Sequence, residues 1–316
     1  MKITDHFKKG QTLFSFEILP PQKGKNIDSI YHSIDPLLEF NPAYINVTYH
    51  REEYLYKKRE KGFLEKVAVR KRPGTVGICA AIKYKYNIEA VPHLICGGFT
   101  REETENALID LSFLGIQNVL ALRGDPIKTE THFIPSEGGN KNAHELVQQI
   151  SRLRKGIYID EDMTHADPLD FSIGVAGYPE KHFESPNLSL DIHYLKQKID
   201  AGADYIVTQL FFDNAKFFDF VKACRDADIQ VPIIPGIKPI TKMSHLQFMP
   251  KFFHVDLPEA LTKEIVKCKS DAEVAEVGKE WSIAQCKELI NAQVPSIHFY
   301  TMGKSTITRQ IAKEVF

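Results

Sequence analysis

No stretch of this chain approaches the run of about 18 consecutive apolar residues that a membrane-spanning helix needs. Positions 1–10 are polar and lack the apolar centre of a secretory signal. The cytoplasm is therefore the expected compartment, and a membrane is not an expected partner. Charge of one sign is not in surplus: 40 Lys and Arg stand against 41 Asp and Glu, a formal net charge of -1. A nucleic-acid backbone, which needs several phosphates neutralised together, is not an expected partner either. Cys79, Cys96, Cys224, Cys268 and Cys286 are odd in number and never spaced as CxxC. That pattern argues against a disulfide framework and a cysteine zinc site, and makes each a small buried apolar residue. The GxGxxG turn of an open dinucleotide-binding sheet is missing after the first apolar run, where Glu17 is followed by Ile-Leu-Pro-Pro. No GxSxG nucleophile elbow occurs.

What is present is an alternation. Of 316 residues, 43% are hydrophobic, enough for one domain, 1–316, with a sizeable core. Short β-branched and apolar runs read as strands at 12–18, 43–49, 92–96, 118–122, 171–176, 205–211, 232–237 and 296–301. Amphipathic segments at 101–114, 143–154, 190–201 and 216–227 lie between them. Segment 75–86 follows helical spacing through Val76, Cys79, Ala80 and Ile82 and is read as a helix. Eight strands alternating with helices predict the α/β class as a closed (β/α)8 TIM barrel, for which about 250 residues is typical. The surplus, at 125–170 and 238–281, follows strand C-terminal ends, so inserted helices and loops are expected on the face where barrel enzymes build their sites. The basic run Lys57–Lys61 and the cluster Arg70–Arg72 read as a solvated helix face, with attraction of an anionic cofactor or a polyanionic substrate tail as the second reading.

The strand ends hold an unusual set of polar residues: Glu17, Thr48, His93, Arg123 with Gly124 and Asp125, Tyr178, Gln209, and Lys304 just past the last strand. The seventh strand opens a proline-bearing loop instead. Glu17 stands among Phe14, Phe16, Ile18 and Leu19, where lost hydration raises a carboxyl pKa and suits it to general-acid work. A strand-edge Glu paired with Lys or Arg is the structural alternative. Arg123-Gly124-Asp125 offers a planar fork for phosphate, a flexible backbone and a carboxylate for N–H donors, or else a plain ion pair. His93 is a core histidine or a ligand contact, and no second ligand at metal spacing accompanies it, so no metal is expected. Gln209 is neutral and can only orient or recognise. The Tyr178-Pro179 turn presents a ring for stacking, or a hydrophobic lid.

Together these segments resemble the methylenetetrahydrofolate reductase family of flavoproteins. The matches are FSFEILPP, Thr48-Tyr49, the PHL at 92–94, ALRGD, GYPEKH, AGADYIVTQLFFD, IIPGIKP and HFYTMGK, in order along the chain. The resemblance implies a (β/α)8 barrel that binds FAD and works by ping-pong. A nicotinamide dinucleotide, NADH or NADPH, gives hydride to FAD and leaves; methylenetetrahydrofolate then takes its place and is reduced to 5-methyltetrahydrofolate, supplying methyl groups for methionine synthesis. It assigns Glu17 as the acid that protonates the departing ring nitrogen of the folate, and Asp125 as the carboxylate at the pterin edge near the flavin. It places Gln209, His245 and Lys304 with the folate. Thr48, Tyr49, His93, Arg123, Gly124, Asp125, Ala143, Tyr178, His182, Ser185, Asp191 and Lys198 fall on FAD-contact positions. Asp191, Tyr194, Gln197 and Lys198 share a helix, so one face could line the dinucleotide.

Departures from the family pattern are His50-Arg51 in place of small residues, Tyr194 and Gln197 for Asn and Arg, His245 for Gln, and Lys304 for Arg, which keeps charge but gives up the bidentate fork. The resemblance also implies a homo-oligomer, and no counterpart to the C-terminal regulatory domain of animal members. Rival readings are another barrel flavoprotein, such as a relative of proline dehydrogenase, a homologue fed by a protein electron donor, and a non-catalytic barrel.

Overall fold

The computed structural model describes residues 1–7, 10–69, 71–127, 130–163 and 165–316. Eight parallel strands close a barrel: β1 (Leu13–Ile18), β2 (Tyr44–Val47), β5 (Glu89–Ile95), β6 (Asn118–Leu122), β7 (Ser172–Gly177), β8 (Tyr205–Leu210), β9 (Ile233–Ile237) and β10 (Ser296–Tyr300). The order around the barrel is β1-β10-β9-β8-β7-β6-β5-β2, so the last strand hydrogen-bonds to the first. The helices that follow strands are α1 (Asp28–Ile34), α2 (Thr75–Tyr86), α3 (Arg101–Phe113), α4 (Ala143–Leu153), α5 (Leu188–Asp200), α6 (Asn214–Asp226), the trio α7 (His245–Phe253), α8 (Glu259–Ile265) and α9 (Asp271–Asn291), and α10 (Thr306–Val315). The expected (β/α)8 TIM barrel is what forms.

Strand parity decides what faces the centre. Along β1, Phe14, Phe16 and Ile18 join the apolar layer under the helices, while Ser15 and Glu17 point into the barrel. The same alternation turns Ile45 and Val47 of β2 outward, and Ile297 and Phe299 of β10. Their inward neighbours are Tyr44, Asn46, Ser296, His298 and Tyr300. Apolar and polar residues thus alternate because one face of each strand meets helices and the other meets the opposite strands. A second apolar cluster of Tyr44, Val91, Leu120, Tyr205, Val207 and Ile234 fills the interior, and Ile3 plugs its lower end, its N–H donating to Asn118 Oδ1 at 2.8 Å. The parallel register sets Glu17 between Tyr300 on one side and Asn46 on the other.

Three readings are corrected. Residues Lys57–Lys61 are not on a helix: β3 (Glu53–Lys58) and β4 (Leu64–Val69) pair antiparallel in a separate two-stranded sheet, joined through a turn in which Lys61 and Gly62 take positive φ. Aromatic Tyr54 and Tyr56 on β3, and β-branched Val67 and Val69 on β4, favour a pleated ladder over a helix, and Lys66 Nζ sits 4.1 Å over the Tyr54 ring. Of the second basic cluster, Arg70 lies outside the described residues, while Arg72 donates to Pro20 O. β5 begins at Glu89 rather than at Pro92, because Asn87 in left-handed conformation closes α2 and the chain enters the ladder at once, Pro92 pairing with Val47. Cys79, Cys96, Cys224 and Cys286 are buried, but Cys268 is only partly so. No helix among the described residues is long and apolar enough to cross a membrane.

Candidate active site

The C-terminal ends of the strands open into a cavity of about 700 Å³. Its floor is apolar, with Leu120, Ala121, Leu122, Ala176 and Val207. From the barrel mouth it runs outward to the first turn of α4, at Ala143 and His144, and along α5 through Asp191, Tyr194, Gln197 and Lys198. One face of α5 therefore does line the site.

Glu17 and His93 occupy the deep end. Glu17 is 9% exposed and His93 5%. Burial raises the Glu17 carboxyl to about 7, against opposing pulls from a Thr48 side-chain hydrogen bond and, less strongly, from Lys238. His93 Nε2 lies 3.4 Å from Glu17 Oε2. The contact is no ion pair, since burial pushes His93 down to about 3, with His50 acting in the same direction, and the ring is neutral. A neutral imidazole beside a carboxyl that keeps its proton near neutrality is a mutually consistent pair, and the strand-edge Glu held by a Lys or Arg ion pair is not what forms.

Above them stand Asp125, Arg123 and Tyr178. Asp125 shares the cavity with Glu17 and is exposed to it. Gly124 takes φ +87, a conformation that L side chains resist, which lets the chain turn between Arg123 and Asp125. Arg123 makes two bonds to the Glu184 carboxylate, one of 3.1 Å, and its guanidinium lies 5.0 Å from the Phe133 ring. The Tyr178 hydroxyl is pushed up by burial and by Asp125, and its ring meets His182 edge-on at 4.8 Å.

The outer end is a small hydrogen-bonded cluster. Asp191 accepts from Ser185 Oγ at 2.8 Å and from the His182 N–H at 3.0 Å. Lys198 Nζ donates to Ala176 O at 2.6 Å, and burial lowers it to about 8, with Asp191 opposing. The donor set fits a flat aromatic ring system with an attached pyrophosphate. The floor offers apolar contact, Gln209 and Asp125 offer polar edges, and Arg123, Lys198 and the α4 N-terminus offer positive charge.

Of the residues singled out in the sequence, Glu17, His93, Arg123, Gly124, Asp125, Ala143, Tyr178, His182, Ser185, Asp191, Lys198 and Gln209 come together in this cavity. Four do not line it. Thr48 donates its hydroxyl to Ile18 O at 3.1 Å, tying β2 to β1, and its side chain also lies within hydrogen-bonding reach of Glu17. Tyr49 lines a second cavity of about 520 Å³, which His93 also borders, and packs tilted against Phe99 with ring centroids 5.1 Å apart. His245 accepts from the Thr241 N–H at 3.3 Å, and Lys304 is exposed; both lie close enough to Lys238 for charge to act between them. The sequence reading missed Lys238 and Tyr300. Both carry the inward parity of their strands, Lys238 continuing from Ile234 and Gly236, and Tyr300 from Ser296 and His298.

Comparison with known proteins gives one answer. The family model described as methylenetetrahydrofolate reductase matches residues 2–315. Methylenetetrahydrofolate reductase (NADH) 1 of Arabidopsis thaliana is 33% identical over 96% of this chain, which spans about half, 49%, of that relative's length. The 5,10-methylenetetrahydrofolate reductase of Pectobacterium carotovorum subsp. carotovorum is 30% identical, with 96% of this chain covering 90% of it. Among solved structures, an uncharacterized protein from Clostridium thermocellum, which binds two copies of 5-methyl-5,6,7,8-tetrahydrofolic acid, superposes with a TM-score of 0.58 at 14% identity, over 100% of this chain and 98% of the other. That likeness is one of fold.

Proposed function

Because the chain belongs to the methylenetetrahydrofolate reductase family, we propose that it reduces methylenetetrahydrofolate to 5-methyltetrahydrofolate, with FAD as resident cofactor and NADH or NADPH as electron donor. The cycle is ping-pong, the two substrates taking turns at one site, and its product supplies methyl groups for methionine synthesis. The chemistry that a bound flavin supplies is two-electron transfer. Arg123, Lys198, His182, Ser185, Asp191 and Tyr178 are the groups that would hold it, with Thr48, Tyr49, His93, Gly124 and Ala143 around them. The same reading carries a single-domain cytoplasmic homo-oligomer, which sedimentation of the purified protein checks.

The observation that carries the proposal is Glu17: a buried carboxyl, raised to about 7, in one cavity with Asp125. The folate opens its five-membered ring only if the departing nitrogen receives a proton, and Glu17 holds one at the pH where the reaction must run. Asp125 accepts from the N–H edge of the pterin, and Gln209 orients whichever ring is present. His245 and Lys304 stand at the rim beside Lys238, where a folate tail carboxylate would meet positive charge.

The test is a pair of anaerobic half-reactions on flavin-loaded protein, bleaching by NADH or NADPH and reoxidation by methylenetetrahydrofolate. Glu17→Gln is expected to slow reoxidation by about 10² to 10⁴, the scale of a lost general acid, while bleaching is largely retained. Equal loss in both halves would make Glu17 structural. A protein that cannot be loaded with FAD would reject the proposal altogether.

A further inference from the structure

Lys238 figures in the reading above only as positive charge at the rim, yet it stands at the mouth with Glu17. It follows Ile237, the last residue of β9, and its ammonium donates to Tyr300 O at 3.4 Å. Tyr300 is the residue paired with Glu17 between β10 and β1. Lys238 and Glu17 therefore approach each other across one intervening strand, and both line the same cavity.

The groups around the two are few. Facing Glu17 are the uncharged Thr48 hydroxyl past β2, which hydrogen-bonds it; His93 from β5, neutral through burial; the Tyr300 phenol from β10, pushed up by burial and so neutral; and Lys238 from β9. Facing Lys238 are Glu17, the exposed Lys304 past β10, and His245 of α7, which burial and the neighbouring lysines hold down. Burial lowers Lys238 to about 8, Glu17 opposing and Lys304 adding the smallest effect, and Lys238 so keeps its charge at neutral pH. A cation is thereby held beside a buried acid whose other close neighbours carry no charge.

We infer that Lys238 is a positioning residue for the proton donor: its ammonium is the counter-charge for the carboxylate that Glu17 becomes in the reaction proposed above. When the Glu17 O–H bond breaks and an N–H bond forms on the folate ring, the electron pair and negative charge stay on Glu17, in a site that has little water to solvate them. Lys238 offsets that charge without giving up its own proton, and the carboxylate is held where it can be reprotonated for the next turnover.

The experiment is an infrared titration of the Glu17 carboxyl, identified by the band that Glu17→Gln removes, on flavin-loaded protein without folate. Lys238→Met is expected to raise the midpoint by about one pH unit or more, as loss of a nearby opposite charge does. Lys238→Arg should stay close to wild type. The alkaline limb of folate-driven reoxidation should move up with the midpoint in Lys238→Met, at a lower plateau. Lys238→Gln serves the same purpose should the Met side chain disturb the fold. An unmoved midpoint in the uncharged variant overturns the pairing, and so does an equal shift in Lys238→Arg. If wild-type protein is not reoxidised by the folate, the proposed function fails, while the infrared midpoint still decides whether the two groups are coupled.

Discussion

Glu17 links the site to stability. Its folded pKa of about 7 lies above the ordinary carboxyl value of 4.5, so between those values the folded chain binds more proton than the unfolded one. The sign follows: stability is fully present below about pH 4.5, falls as pH rises, and is lower by on the order of 3 kcal/mol once pH passes 7. Glu17→Gln removes the titration. It is expected to unfold near the wild-type midpoint at pH 5 and above it at pH 8, in thermal melts at the two pH values; an equal offset at both would mean that the carboxyl is not buried as described. Arg123 gives a second expectation. Its guanidinium is shared with Glu184, which competes with any phosphate. Freeing it by Glu184→Gln should tighten FAD binding by up to about fivefold, since partly exposed pairs are worth at most about 1 kcal/mol, measured by quenching of flavin fluorescence. Glu17, His93 and Gln209 were legible in the sequence because each is a polar residue set near the C-terminal end of an apolar run. Lys238 escaped because Pro239 and Ile240 after it look like loop, although counting inward positions along 234, 236 and 238 would have found it. Tyr300 escaped because an aromatic residue inside a strand looks like core.

At the scale of elements, close contact between α9 and the segment after β9 holds the Lys238 side of the mouth in place. Gly278 packs directly on the backbone of Ile240, two residues beyond Lys238; a Cβ there would fall 2.8 Å from the Ile240 carbonyl carbon and nearer still to its oxygen. Gly278→Ala is therefore expected to cost about 1–3 kcal/mol of stability through overpacking, although Ala favours helices elsewhere. Denaturant unfolding reads it, and a stabilised variant would show that the helix moves away freely. The barrel strands were readable because the only Asp, Glu, Lys or Arg side chains in all eight are Glu17, which faces the centre, and Glu89, the first residue of β5. The β3–β4 hairpin was not, since the lysines that decorate it are as common on solvated helices, and only the pairing of its two halves distinguishes them.

For the molecule as a whole, the hairpin stands outside the barrel sheet, with Tyr56, Phe63 and Leu64 exposed. Replacing residues 53–69 by a short Gly/Ser link should change stability by less than about 1 kcal/mol, the scale of surface changes, as read by calorimetry; a larger loss would mean that the hairpin braces the barrel. The fold class could be read from alternation alone, whereas the depth of the mouth and the neutral His93 depended on which side chains the closed barrel shuts away from water.

Closure has its own consequence. The β1–β10 seam joins Leu13 to Ser296 and Glu17 to Tyr300, so the acid and its neighbours emerge from a ribosome at nearly opposite times. Until β10 arrives, β1 has one open edge and the mouth has no Tyr300. The flavin proposed above, offered to stalled nascent chains, should thus be retained only by those long enough to have zipped the seam, which would make its capture a readout of completed folding.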